Sequence, residues 1–479
     1  VACEVLGEEV NRELVLESCT TVLKEHPAVL TQEGLTDVYN ALIDVLKSQQ
    51  AFLGSVITIQ KKMRSVMIGH KVLEAIRFAA WDSLDAWEEL ELLRLGSFLV
   101  EVTDGEDLDS RESSVLVAEP KPEGSQHTAC AIDDVLALIS LLQDGGLLRT
   151  DQLCKLLNKQ AALLRQLPNV QYINLQPGQK LTVVGDLHGQ LADLLHIFRI
   201  NGWPSATNLY LFNGDFVDRG EQSVEVVTVL FAWQQKLPKS VFLNRGNHED
   251  SAINAAYGFL NECCTKYNRL VYKLFDSCFS WLPLATVVDH TTLVVHAGID
   301  DHTSIADIAE VDRSVYTMRS AMPPSSPAKP RRSSFGRHPN APSAREDVEG
   351  EGLSAEAIRV ISPLLWSDPR GTGGCTFNAR RGAGSTFGAA SAKDFLMRES
   401  LQLLIRSHEC VPDGYSYPFP TKSVMTVFSA SNYAGRTRNK GALAVLHYDH
   451  VATPEIITYT ATEVTNDEID LKNLQLIQQ

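Results

Sequence analysis

The sequence has no C-x-x-C pair, although it holds nine cysteines. An odd count with one adjacent pair, Cys263 and Cys264, does not make a disulfide framework, so the thiols suit structural roles in a reducing compartment. No apolar run approaches the roughly 18 residues of a membrane span, and the opening VACEVLGEEV lacks the basic and apolar stretches of a leader. No membrane span is expected, and the expected setting is the cytoplasm or nucleus. A first residue of Val implies a processed or truncated start. Positive charge is also short: 43 Lys and Arg against 59 Asp and Glu leave a net charge of -16. That balance excludes nucleic acid and acidic membrane surfaces as default partners and confines any polyanion site to a local pocket. No D-x-[DN]-x-[DN]-G loop occurs anywhere, which excludes an EF-hand calcium site.

What is present is length and pattern. The 479 residues suffice for two or three domains. Residues 1–102 read as a helical preface, with apolar positions three and four apart in LTDVYNALIDVLKSQQAFL and HKVLEAIRFAAWDSLDAWEELELLRL. Residues 103–127 are acidic and rich in Ser, Gly and Pro, the composition of a linker. Across 128–168 two amphipathic helices, broken at Gly145-Gly146, lead into the first strand. From 169 to about 462 short Val/Ile/Leu/Phe runs alternate with helical stretches, which predicts an α/β domain, and 463–479 form a tail. Within that domain residues 318–352, including MPPSSPAKPRRSSFGRHPNAPS, are too polar to order themselves and predict a disordered surface insertion.

Five apolar runs end in metal-ligand residue types: LTVVGDLHG, LYLFNGDFVDRG, VFLNRGNHED, TTLVVHAGI and LLIRSHE. Ligand sites of α/β sheets lie beyond the carboxyl ends of strands, so Asp186, His188, Asp215, Asn247, His296 and His408 can converge. The set is O and N donors without thiolate, which suits Mn, Fe or Zn and, with Asp215 as a bridge, a pair of metals. Any one motif is weak, because Gly-Asp after a strand is commonly a turn with a helix cap and a lone His is commonly a packed core residue. Five strand ends in one domain reverse that weighting.

GDLHG, GDFVDRG, RGNHE, HAG, LLWSDP, RRGAGSTFG, RSHE and SASNY, in this order, resemble the metal-dependent phosphoprotein phosphatases that act on Ser and Thr. LNRGNHED, FSWLPLATVVD and LPNVQYI are most similar to the retinal-degeneration-C type, which carries EF-hands that this chain lacks. The resemblance implies a calcineurin-like metallophosphoesterase fold, a two-sheet β-sandwich flanked by helices. It implies that Asp186, His188 and Asp215 hold one metal and Asp215, Asn247, His296 and His408 a second, as Mn or as Fe with Zn. Hydroxide generated between them would attack the phosphorus of a phosphoprotein substrate in line. Arg219 and Arg381 match the phosphate-clamping arginines, His248 the general acid, Asp218 its carboxylate partner, Asn247 a further substrate contact and Tyr433 the lining of the substrate mouth.

The sequence departs from the usual form of these motifs at Ala297, where His-Gly-Gly is usual, and at Ser431 and Ala434, where SAPNYC is usual. No ligand, arginine or acid is lost, so an active enzyme is expected, with a softer 430s loop. A phosphodiesterase or nucleotide hydrolase on the same fold would lack LLWSDP and SASNY, and a scaffold with a decayed site would lack a ligand. In the preface, Ile59-Gln60 and Arg64 form a partial IQ motif. With the resemblance, this predicts calmodulin binding by residues 55–80. Arg331 and Arg332 before Ser333 and Ser334 form a candidate kinase site.

Overall fold

The computed structural model describes residues 127–128, 134–318, 347–371 and 373–461. The helical preface, the 55–80 segment, the kinase site at Ser333 and Ser334 and the 463–479 tail lie outside the described residues. After the short strand β1 (His127–Thr128), helix α1 (Val135–Gln143) begins where Asp134 accepts the N–H groups of Leu136 and Ala137, and ends at Gly145 in the left-handed region. Strand β2 (Leu147–Leu148) pairs with β1 and precedes α2 (Thr150–Leu164). On α2 the buried positions Leu153, Leu156, Leu157, Gln160, Ala161 and Leu164 form one stripe.

Next come β3 (Val170–Ile173), β4 (Lys180–Val184), α3 (Leu191–Asn201), β5 (Asn208–Phe212), α4 (Ser223–Lys236) and β6 (Val241–Leu243). Helices α5 (Ser251–Tyr257), α6 (Phe259–Lys266) and α7 (Arg269–Phe279) precede β7 (Ala285–Val288), β8 (Thr292–Val295) and α8 (Ile305–Glu310). The second part holds α9 (Asp347–Trp366), β9 (Asp368–Pro369), β10 (Cys375–Phe377), β11 (Ser385–Phe387), α10 (Ala389–Arg398) and β12 (Leu403–Arg406). The chain then adds β13 (Tyr415–Ser416), β14 (Val424–Val427), β15 (Gly441–His447) and β16 (Glu455–Tyr459).

Two sheets carry the architecture, in the orders β13-β14-β12-β8-β7-β3 and β16-β15-β4-β5-β6. Period-two alternation divides each strand between two cores. On β4 and β5, Leu181, Val183, Leu209 and Leu211 meet Val294, Ile405, Met425 and Val427 of the other sheet. Their neighbours Val184, Tyr210 and Phe212 turn outward to pack on α3, α4 and α7. Helices α8, α9 and α10 cover the opposite face of the six-stranded sheet. Helices α1 and α2 share the core of α4 and α7, and Gln160 donates to Gln234 across that contact at 2.5 Å, so the lead-in is an integral layer.

The parallel strands β4, β5 and β6 of one sheet and β8, β12 and β14 of the other bring their carboxyl ends together. Buried amides join the sheets there. Asn213 donates to Val295 O (2.8 Å) and Ser407 Oγ (2.9 Å), and Asn244 donates to Asn213 Oδ1 (3.0 Å) and Val294 O (3.2 Å).

The 318–352 segment expected to be disordered has ordered residues at both ends. Met318 is buried and its N–H donates to Asp250 Oδ2 at 2.9 Å, and α9 already runs from Asp347. The reason is packing: Ala357, Val360, Ile361, Leu364 and Leu365 anchor α9 in the core. No helix among the described residues is long and apolar enough to cross a membrane.

Candidate active site

Each ligand-type residue follows the end of a strand: Asp186 and His188 after β4, Asp215 after β5, Asn247 and His248 after β6, His296 after β8 and His408 after β12. All are buried. Asp215 lies between two clusters. One gathers Asp215 with His188 and His248, the other Asp215 with His296 and His408, and within each the ligand atoms lie within 4.8 Å of one another. Asp186 Oδ2 lies 3.7 Å from His188 Nε2, and Asp215 Oδ2 lies 3.6 Å from His188 Nε2 and 3.4 Å from His296 Nε2. Asn247 Oδ1 stands 2.9 Å from His296 Nε2 and 3.0 Å from His408 Nδ1.

The donor set fits a pair of cations. His188 and His296 engage backbone carbonyls of Val217 and Asn213 through Nδ1 (both 2.9 Å), so each ring turns Nε2 inward. Burial works to lower His296, but the Asp215 carboxylate outweighs it and raises it, so a cation there would take the place of a proton. Asn247 Oδ1 faces the Asp215 carboxylate and the lone pair of His408 Nδ1, a conflict that a cation between them, or a half-turn of the amide, relieves. Burial and the neighbouring His248 push His188 down to about 3, and burial and Arg381 hold His408 well below its usual range. Both rings are therefore neutral, the form that binds metal. Burial works to raise Asp215, but the imidazoles of His296 and His248 outweigh it and hold that carboxyl well below the usual range. Burial and the charge of Asp215 push Asp186 up to about 7. A metal-free pocket thus resists carrying both carboxylates ionised, and cations remove that resistance.

Five of these residues hold backbone angles that favour glycine: His188 (φ 43°), Asp215 (φ 53°), Asp218 (φ 71°), Arg219 (φ 68°) and His408 (φ 68°). Cross-links between strand ends hold them. Leu187 and His188 N–H donate to Asp215 O (3.0 and 2.9 Å), His248 N–H to Asp215 Oδ1 (3.0 Å) and His408 N–H to Asp186 Oδ1 (3.1 Å). Glu249, to which the sequence reading assigned no role, accepts the N–H groups of Asp215, Phe216 and Gly246, each at 2.8 Å. Gly246 is required beside it, since a Cβ there would lie 2.3 Å from Asp215 N and Oδ1.

Around the clusters stand the residues expected to act on phosphate. His248 Nδ1 is 2.7 Å from Asp218 Oδ2, while Asp218 Oδ1 accepts the Phe259 N–H at 2.9 Å. Arg219 stacks on Tyr257, its Cζ 4.2 Å from the ring centroid, and Tyr257 in turn meets the His248 ring edge-on at 5.1 Å. Arg381 donates to Asp368 Oδ2 (3.2 Å) and His408 O (3.3 Å), and Arg406 holds the other Asp368 oxygen at 3.1 Å. Burial works to raise Asp368, but Arg381 and Arg370 outweigh it and hold the carboxyl well below its usual range. Asp368 and Tyr257 are supporting residues missed from sequence; only Asp368 left a signal, a charge inside the apolar LLWSDP. The Tyr433 ring lies 5.0 Å from that of His188.

The profile of calcineurin-like phosphoesterases matches residues 179–412, a span that contains the metal-type ligands and both arginines. Among solved structures, a protein serine/threonine phosphatase from Saccharomyces cerevisiae, with similarity to human phosphatase PP5, is 30% identical. It aligns over 68% of this chain and 95% of its own, with a TM-score of 0.55. The chain belongs to the calcineurin-like phosphoesterase family. Its relatives in that family include the serine/threonine-protein phosphatase rdgC of Drosophila melanogaster, 37% identical over 71% of this chain and 48% of its own length. The serine/threonine-protein phosphatase with EF-hands 1 of Mus musculus is 36% identical over 69% of this chain and 52% of its own. The chain spans about half the length of these curated relatives. Family membership carries a dinuclear metal centre, which the two clusters about Asp215 accommodate.

Proposed function

We propose that the chain is a protein Ser/Thr phosphatase that hydrolyses phosphoserine and phosphothreonine monoesters. The observation that carries this reading is the convergence of six O and N donors from five strand ends about Asp215, with the His248–Asp218 pair beside them. Asp186, His188 and Asp215 would hold one metal and Asp215, Asn247, His296 and His408 the other, with Mn, or Fe with Zn, suited to donors that lack sulfur. Two cations supply Lewis acidity that activates water near neutral pH and offsets phosphate charge. His248, with Nδ1 on Asp218, presents Nε2 as the atom that protonates the leaving Ser or Thr oxygen; Asp218 fixes the ring and favours its charged form. Arg219 and Arg381, oriented by Tyr257 and Asp368, bind phosphate oxygens through planar forks. Asn247 adds a polar contact to the phosphate, and Tyr433 lines the mouth beside His188.

Calmodulin binding by residues 55–80 rests on the partial IQ pattern and is carried within this proposal. A reducing intracellular setting is supported by the six free cysteines among the described residues. The test is manganese-dependent phosphate release from a phosphoserine peptide, beside Asp215→Asn, His248→Asn and a bis-phosphodiester substrate. Release from the peptide, lost in both variants, is expected. Turnover of the diester alone would replace this reading with a phosphodiesterase, and turnover of neither would leave a metal-binding scaffold.

A further inference from the structure

Serine stands at 431, where the related motif usually carries proline, and its backbone N–H makes a bond that proline lacks the donor to make. That N–H donates to Asp193 Oδ1 at 3.2 Å. The Ser431 carbonyl accepts from Gln190 Nε2 at 2.8 Å, and the same amide donates to Asp193 Oδ2 at 2.5 Å. The Ser431 hydroxyl accepts the Ala461 N–H at 3.0 Å. Gln190 and Asp193 thus grip both backbone polar groups of the residue two before Tyr433, and they lie two and five residues after His188 in the chain.

The loop they grip is strained. Asn432 (φ 44°) and Ala434 (φ 52°) flank Tyr433 in the left-handed region, which such residues keep only where neighbours over-determine it. On the other side Asn439 accepts the Tyr433 N–H at 2.9 Å and donates to Ala430 O at 2.7 Å. Asp193 is buried, an expense in hydration that its bonds to Ser431 and Gln190 offset in part.

We infer that Asp193 is a positioning residue which, through Ser431, holds the loop that places Tyr433 beside His188 at the substrate mouth. In this chain a hydrogen bond takes the place of proline's ring as the lock on that loop. The inference deepens the phosphatase reading and rests on it for its kinetic consequence, though not for its structural one.

The test uses the full chain loaded with manganese. Hydrogen exchange of residues 430–439 is followed in wild type and Asp193→Ala, which leaves the Ser431 N–H without its acceptor, and phosphoserine-peptide kinetics in Asp193→Ala, Tyr433→Phe and the double variant. Loss of the Asp193 carboxylate is expected to speed loop exchange and raise KM by about tenfold each, with kcat nearly constant and manganese content unchanged. The double variant is expected to be no worse than Tyr433→Phe alone, because Asp193 acts through Tyr433. Unchanged loop exchange, or KM effects that multiply in the double variant, would overturn the assignment. Should Asp193→Ala fail to fold, Asp193→Asn, whose NH2 must face the Ser431 or the Gln190 donor, makes the same comparison of exchange. A wild type that turns over no phosphopeptide would sink the phosphatase reading while the exchange data still decide the positioning role.

Discussion

At the scale of single residues, the chemistry depends on groups that hold the ligands as much as on the ligands. Glu249 shows this: Oε2 takes the N–H groups of Asp215 and Gly246, and Oε1 that of Phe216, so one carboxylate fixes the ends of β5 and β6. In Glu249→Gln an amide NH2 must face one or more of those donors. Manganese affinity is expected to fall by roughly 10- to 100-fold, as for other residues that orient ligands. Calorimetric titration checks it, and an unchanged Kd would show that Asp215 keeps its place without the carboxylate. Residue types at strand ends exposed the six ligands in the sequence. Glu249 was visible in RGNHE as a charge but not as a role, because its function is to accept from a backbone that only folding brings near.

At the scale of elements, sharp turns at strand ends decide which small residues are required. In HAG, Ala297 is fully buried, donates its N–H to Leu364 O at 2.7 Å and adds its methyl to the core without displacing His296. Gly298 has no such room, since a Cβ would lie 2.4 Å from Phe387 Cε1 and 2.9 Å from Ser367 O. Gly298→Ala is expected to destabilise the fold by about 1–3 kcal/mol through overpacking. Ala297→Gly should cost only about 1 kcal/mol and leave metal binding intact. Urea denaturation of the two variants separates them, and equal losses would contradict this packing. The 430s loop, expected to be softer, is anchored by its own Asn439 and by Asp193, Gln190 and Ala461, the last three drawn from distant segments that its own sequence could not reveal.

At the scale of the whole molecule, burial of acid groups links stability to pH and metal. Burial raises Asp193 to about 7, and burial with the charge of Asp215 raises both Asp186 and Glu249 to about 7. Each folded value lies above the unfolded value of about 4. Their contribution to stability is therefore full below about pH 4 and is lost as pH rises through about 7. Chelated protein is expected to lose thermal stability between pH 5 and pH 8. Manganese should reverse much of that loss by favouring the ionised form of Asp186. Melting temperatures across that range, with and without chelator, test the sign; a metal-free Tm that rises with pH would contradict it.

The sequence by itself determined the α/β class, the two lead-in helices and the ligand-bearing strand ends. Each depends on local periodicity or on a short run of residue types. Only the tertiary structure decided how the two sheets meet, that Asn213 and Asn244 join them, and that Asp368 and Tyr257 orient the arginines. It also decided that Asp215, His188 and His408 hold left-handed backbone angles, which their residue types disfavour. Those features pair groups from distant segments, and a linear pattern cannot record a contact whose two halves have no fixed spacing.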